Sequence, residues 1–231
     1  MSVPFRVLTF NVRSLRDDRA AVVDVIRSAD PDVVCLQEVP RFCRWRSRLA
    51  ALARDTGLLY VTGGRPTGGV ALLAHLRVSV TDAREGRLSK HPRLHQRGVA
   101  AAVVSRYGAR LLVASTHLGL DAAERQVHAG ELLTLLNQVD APHALIAGDL
   151  NERPDGPAWQ VLRVGRLRDL GPGSGPTFPA AGPRKRIDAL LGSPRLEVRD
   201  YRVLSGSAAE RASDHRPVLA VVDVPVGGTA G

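Results

Sequence analysis

The chain has 231 residues, 44% of them hydrophobic, enough for one domain with a substantial core. Its formal net charge is +9, which argues against a strongly cationic partner and favours polyanions. No apolar run approaches the roughly 20 residues that span a bilayer, and Met1-Ser2-Val3-Pro4-Phe5-Arg6 lacks the layout of a signal peptide, so a cytoplasmic protein is expected.

Lysine occurs only at Lys90 and Lys185, so the basic excess is almost entirely arginine. Alanine is abundant as well, a pairing that G+C-rich coding also produces, and the charge is therefore only weak support for nucleic acid. Cys35 and Cys43 make no disulfide framework. Cys35 lies inside an apolar run and reads as a small buried thiol.

Taken in chain order, Phe5–Phe10 reads as a strand ending at Asn11. Asp17 or Asp18 caps a helix whose apolar positions Val22, Val23, Val25 and Ile26 follow the helical period, and Asp30-Pro31 ends it. Val33–Leu36 is a fully apolar strand, as expected where both faces are covered. Trp45–Thr56 is helical, with Leu49, Leu52 and Ala53 inward, and Gly57 stops it. Strands follow at Leu58–Thr62, Val70–Ala74 and Val78–Thr81, with a glycine-rich loop over 63–69. A basic stretch over 84–96 reads as structureless, with a solvated Arg97 beyond it. Val99–Ser105 and Arg110–Ser115 are strands around a turn at Tyr107-Gly108. Asp121 caps a helix to about Val139 that is expected to present Val127, Leu132, Leu135 and Leu136 on one face. Ala144–Ala147 is a buried strand, 171–183 a loop rich in glycine and proline, and Ile187–Leu191, Leu196–Leu204 and Val218–Val224 close the β structure. Residues 1–226 form the expected domain, with 227–231 a tail.

Six of the apolar β-branched runs end in polar groups: Asn11, Gln37-Glu38, His117, Asp149-Leu150-Asn151, Asp188 and Asp214-His215. One such junction is ordinary, and taken singly each has a plain structural reading. Glu38 is a solvated glutamate at a strand end, Asn11 and Gly148-Asp149 are turn formers, and Asp214-His215 is loop. Together they suggest strand ends meeting on one cluster of carboxylate, carboxamide and imidazole groups. Such a cluster suits a hard divalent cation and a phosphate. Asp149 and Asn151, two apart in an extended segment, point to one side. His75, His91, His95, His128 and His143 show no ligand spacing, and there is no clustered Cys/His pattern for zinc. A Gly-x-x-x-x-Gly-Lys loop and a Gly-x-Ser-x-Gly elbow are both missing, which leaves nucleotide-triphosphate and serine-hydrolase chemistry without support.

The order Asn11, Gln37-Glu38, Thr116-His117-Leu118, Gly148-Asp149-Leu150-Asn151, Arg186-Ile187-Asp188, Ser213-Asp214-His215 resembles the endonuclease/exonuclease/phosphatase superfamily from about Phe5 to Val222. The resemblance implies an α/β fold, a four-layer sandwich of two packed mixed sheets flanked by helices. It implies hydrolysis of phosphate esters with Mg²⁺, or Mn²⁺ as substitute. Glu38, Asp214 and Asn11 would then serve the metal, with Gln37 in support. Asp149 would activate water, Asn151, His117 and Asn11 would hold the phosphate, and His215, oriented by Asp188, would contact the phosphoryl group. Thr116-His117-Leu118 resembles deoxyribonuclease I-like, sphingomyelinase-like and phosphatase members. Abasic-site repair enzymes have a tyrosine motif there and an aspartate where this chain has Arg13, so it departs from them twice. Nucleic acid is the first expected substrate and a monomer the expected state. Small phosphoesters or lipid head groups come second, and a non-catalytic phosphate binder is the alternative of another class.

Overall fold

The computed structural model describes residues 1–227. The tail expected at 227–231 falls, but for Gly227, outside the described residues. In chain order the elements are β1 (Ser2–Asn11), α1 (Arg19–Ala29), β2 (Val33–Gln37), α2 (Trp45–Thr56), β3 (Leu59–Gly64), β4 (Val70–Ala74), β5 (Ser79–Arg87), β6 (Gly98–Arg106), β7 (Ala109–His117), α3 (Ala122–Asn137), β8 (Ala144–Asp149), α4 (Pro157–Val164), β9 (Arg168–Asp169), β10 (Asp188–Gly192), β11 (Glu197–Val203), α5 (Ser207–Ala212) and β12 (Val218–Pro225). Two six-stranded sheets result, ordered β11-β12-β1-β2-β4-β3 and β5-β6-β7-β8-β10-β9. Each has one parallel pair at its centre, β1 with β2 and β7 with β8, among antiparallel neighbours. A helix bridges each parallel pair, α1 in one sheet and α3 in the other, as parallel strands require.

The alternation of side chains along each strand builds three apolar layers. On β1, Phe5 and Val7 face the second sheet, while Leu8 and Phe10 face α1 and α2. On β6, Ala100, Ala102 and Val104 pack between the sheets, and Val99, Ala101 and Val103 pack under α3 and α4. The result is helix, sheet, sheet, helix: the expected four-layer sandwich. No helix among the described residues is long and apolar enough to cross a membrane.

The helix signals read from the sequence act as expected. Asp18 accepts from the Ala21 N–H and Asp121 from the Glu124 N–H, each relieving an otherwise unpaired amide of the first turn. Gly57 closes α2 in the left-handed region, where a side chain would be strained.

Four expectations are corrected. The stretch 84–96 is not structureless throughout, because β5 continues to Arg87 and pairs with β6 from Ser79↔Ser105 to Arg87↔Gly98. It is an exposed edge strand, and its charged residues, which suit an edge, hid it from a hydrophobic reading. The short helices α4 and α5 were not foreseen, α4 beginning at Pro157 behind a loop. The buried stripe of α3 is Glu124, His128, Ala129, Leu132 and Leu136, and Val127 is 53% exposed. Two polar residues lie in the true stripe, so choosing apolar residues alone rotates the face. Arg97, finally, is half-buried rather than solvated.

The corrected α3 face is testable. Leu132→Ala should cost about 2–5 kcal/mol, as for other fully buried leucines, and Val127→Ala should stay within about 0.5 kcal/mol. Denaturant unfolding of the two variants decides it, and comparable losses would restore the apolar-only face.

Candidate active site

The polar residues sit where the inward stripes of the two sheets reach one rim. Val7, Thr9 and Asn11 follow one another on the inner face of β1, Cys35 and Gln37 on β2, Val113, Ser115 and His117 on β7, and Leu145, Ala147 and Asp149 on β8. All four strands deliver their carboxyl ends there, the place where open α/β sheets take ligands. Strand β10 runs the other way, so its first residue, Asp188, reaches the same rim. His215 enters from the loop before β12.

Strand register sets the neighbours. His117 lies opposite Asp149 across β7 and β8, and Asp188 lies opposite Asp149 across β8 and β10. Gly148 allows this approach, since a Cβ there would stand 2.0 Å from the Thr116 carbonyl oxygen. The two sheets are tied beneath the site by Gln37, whose amide donates to Ser115 Oγ at 3.2 Å and to the Cys35 carbonyl while accepting from Thr9. Thr9, Gln37 and Ser115, all buried, are thereby paired.

Asp149, 1% exposed, is the centre of the cluster. One oxygen accepts from Asn11 Nδ2 at 3.1 Å and lies 3.3 Å from His117 Nε2 and 3.7 Å from His215 Nε2; the other accepts from the Asn151 N–H at 2.9 Å. Burial, then the charge of Asp188, pushes its carboxyl up to about 7, against His215 and the two amide donors. His215 Nδ1 is 2.9 Å from Asp188 Oδ2. Burial alone would lower His215, but the Asp188 carboxylate outweighs it and lifts the imidazole to about 10. Asp188 is itself placed by Thr177 Oγ, which accepts from its backbone N–H, and the Phe178 ring lies 4.8 Å from the His215 ring. His117 is held well below its ordinary value by burial and by Arg97 and His215. Neutral, it accepts from Asn151 Nδ2 at 3.0 Å.

Asn11 donates to Glu38 Oε1 at 3.2 Å as well as to Asp149, and its own oxygen accepts from the Arg13 N–H. Glu38, half-buried at φ 51°, has no ion-pair partner among the described residues. Asp214 lies 3.2 Å from Arg13 Nε. The structure thus gathers Asn11, Glu38, His117, Asp149, Asn151, Asp188 and His215, and turns Asp214 toward an arginine. The donor atoms of Asp149, Asp188 and His215 lie within 4.8 Å of one another and could hold a metal. The Asp188–His215 bond already engages two of them, however, and Asp149 accepts at both oxygens, so Glu38, with no ion-pair partner among the described residues, is the freer carboxylate.

The sequence reading missed Ser115, Thr177 and Ser213, whose hydroxyl donates to the Asn11 carbonyl at 2.7 Å. Ser115 was accessible from its inward parity with His117, whereas Thr177 sits in a loop with no periodic signal. Arg97 precedes β6 beside the β7 terminus, and its charge acts on Asp149 and Glu38.

The model of the Endonuclease/Exonuclease/phosphatase family matches residues 8–215. The chain belongs to this family. It is accordingly a phosphoesterase, a hydrolase of phosphate esters. No protein of curated function matches it. Among solved structures, an endonuclease/exonuclease/phosphatase from Bacteroides vulgatus is similar over 96% of this chain and 100% of its own at 19% identity, with a TM-score of 0.83. A mannosyl-6-phosphatase of Bacteroides thetaiotaomicron has 19% identity and a TM-score of 0.78, covering 94% of this chain and 99% of its own. The human Nocturnin catalytic domain with bound sulfate has 20% identity and a TM-score of 0.76, covering 96% and 94%. These likenesses share the sandwich.

The two opposed titrations predict a bell-shaped pH dependence of kcat/KM, rising as the Asp149 network ionises near 7 and falling as His215 loses its proton near 10. Asp188→Asn should draw the alkaline limb toward 6.5, the unperturbed histidine value. On the alkaline side folding stability should follow the same sign. The raised His215 value contributes stability that is full below pH 6.5 and lost as pH rises through about 10. A pH–rate series on a chromogenic phosphodiester checks this, and an alkaline limb unmoved by Asp188→Asn would break the assignment.

Proposed function

We propose that the chain hydrolyses phosphodiesters of nucleic acid with the help of one hard divalent cation, Mg²⁺ or Mn²⁺. The carrying observation is Asp149, a buried carboxylate held between two imidazoles, with a hydrogen-bonded Asp188–His215 pair on one side. Once ionised, Asp149 orients and deprotonates the attacking water. The water oxygen attacks phosphorus in line, and the P–O bond to the leaving alcohol breaks. His215, held as imidazolium by Asp188, faces the phosphoryl oxygens and stabilises the charge that gathers on them. Asn151 and Asn11 offer amide donors that fix the phosphate, and neutral His117 holds Asn151 in place.

The donor set fits a hard cation, because Glu38 and Asp149 present carboxylate oxygens joined by one amide and no thiolate is near. Glu38 would hold it, with Asn11 reaching it if its carboxamide turned. When bound it would neutralise charge on phosphate and leaving oxygens.

Support for nucleic acid comes from the segment that follows Glu38. Arg41-Phe42-Cys43-Arg44-Trp45-Arg46 places an exposed Phe42 beside Arg41, whose guanidinium lies 5.8 Å from the ring. Basic groups next to an exposed aromatic suit a phosphate backbone with a stacked base. The second reading is a soluble phosphomonoester, favoured by the likeness to the mannosyl-6-phosphatase.

Activity should vanish in chelator and return with Mg²⁺ or Mn²⁺, assayed over DNA, RNA, phospholipid and sugar phosphates. Full activity with no metal detected in the protein would refute the cation. On nucleic acid, log affinity should fall with log salt by roughly one unit of slope per phosphate neutralised. Efficient phosphomonoester hydrolysis with no cleavage of single- or double-stranded nucleic acid would put the second reading first.

Asp149→Asn and His215→Ala should each lower turnover at least about a hundredfold with the fold intact by circular dichroism. Near-natural rates in either variant would remove that residue from the chemistry.

A further inference from the structure

Immediately after Asn11 the backbone makes a turn that L-residues avoid. Arg13, Ser14 and Leu15 have φ of 43°, 60° and 53° in succession. A left-handed conformation costs roughly 1 kcal/mol or more per residue, so the surroundings must hold all three. They do. The Ser14 N–H donates to the Glu38 carbonyl at 2.6 Å, Leu15 is buried in the layer under α1, and Arg48 donates to the Ser14 carbonyl. Strain of this kind at a site points to something that the turn positions.

The turn positions Arg13. Its N–H fixes the Asn11 carboxamide, and its guanidinium spans Asp17 at 3.3 Å and Asp214 at 3.2 Å. The charges of the rim then fall into pairs. His215 meets Asp188, and Arg13 meets Asp214. Asp149 has the His215 imidazole 3.7 Å away, so Glu38, joined to Asp149 by the neutral Asn11 amide, is the rim carboxylate left with no ion-pair partner among the described residues.

We infer that Arg13 is a built-in cation of the active site, occupying the Asp214 side and limiting the site to a single divalent ion on Glu38. The inference rests on the metal-dependent reading above and deepens it. Arg13 is a positioning residue here: it acts through Asp214 and Asn11. A guanidinium suits the task because it is always charged and its fixed fork holds two carboxylates at once.

The test counts Mn²⁺ by electron paramagnetic resonance and measures its affinity by titration calorimetry, in full-length protein without substrate. The natural chain should bind one Mn²⁺. Arg13→Gln, which keeps the stem and removes the charge, should bind a second, and Arg13→Gln/Asp214→Asn should return to one. In the natural background, which leaves the turn untouched, Asp214→Asn should change Mn²⁺ affinity by less than about threefold, whereas Glu38→Gln should weaken it at least about tenfold. Two ions in the natural chain, one ion in a folded Arg13→Gln, or Asp214→Asn weakening binding as much as Glu38→Gln would each overturn the inference while leaving a metal-dependent enzyme in place. A natural chain that binds no Mn²⁺ would overturn both.

Discussion

The arrangement depends on keeping one carboxylate, Asp149, out of water at the meeting of two sheets. An isolated buried carboxylate is costly, and proteins meet that cost with hydrogen bonds, paired charge or a proton. Asp149 draws on all three: amide donors from Asn11 and Asn151, an imidazole on either side, and a carboxyl raised to about 7. Most other polar contacts of the rim are legible as consequences. Asp188 charges His215, His215 faces Asp149, and Asn151 keeps His117 in the form that accepts.

The sandwich supplies the rigidity this needs. The residues concerned are the ends of inward stripes whose remaining members are the inter-sheet core, so packing of Val7, Val113, Leu145 and Leu190 fixes where the polar atoms stand. The Gln37–Ser115 bridge keeps the sheets in register just below the rim. A one-residue slip in any of these strands would send its site residue to the helical face. Two backbone features are specific to the site rather than to the sandwich: Gly148, which lets two strands close on each other, and the left-handed run at Arg13–Leu15, which aims an arginine at Asp214.

The family and the sandwich are consistent with a wide range of phosphate esters, and the core chemistry is common to them. The rim of this chain carries an arginine paired to Asp214, a half-buried Arg97 acting on the acidic centre, and an arginine-flanked exposed phenylalanine after β2.

The amino-acid sequence alone determined many of the elements, since strand and helix periodicities are local: β1, β2, α1, α2 and β8 are each visible in their own residues, while their stacking into four layers was implied only by the family resemblance of the motifs. It also determined the polar inventory, because motif order survives without coordinates. Edge strand β5 and the buried face of α3 were not legible. The first is solvated and charged, and the second contains Glu124 and His128, which a hydrophobic criterion discards. Only the tertiary structure decided which carboxylate keeps which partner. Asp188 goes to His215 and Asp214 to Arg13 because antiparallel β10 and the strained turn after β1 bring residues distant in sequence within ion-pairing distance. Electrostatic pairing depends on distance and burial, and neither is a property of any segment of the chain taken by itself.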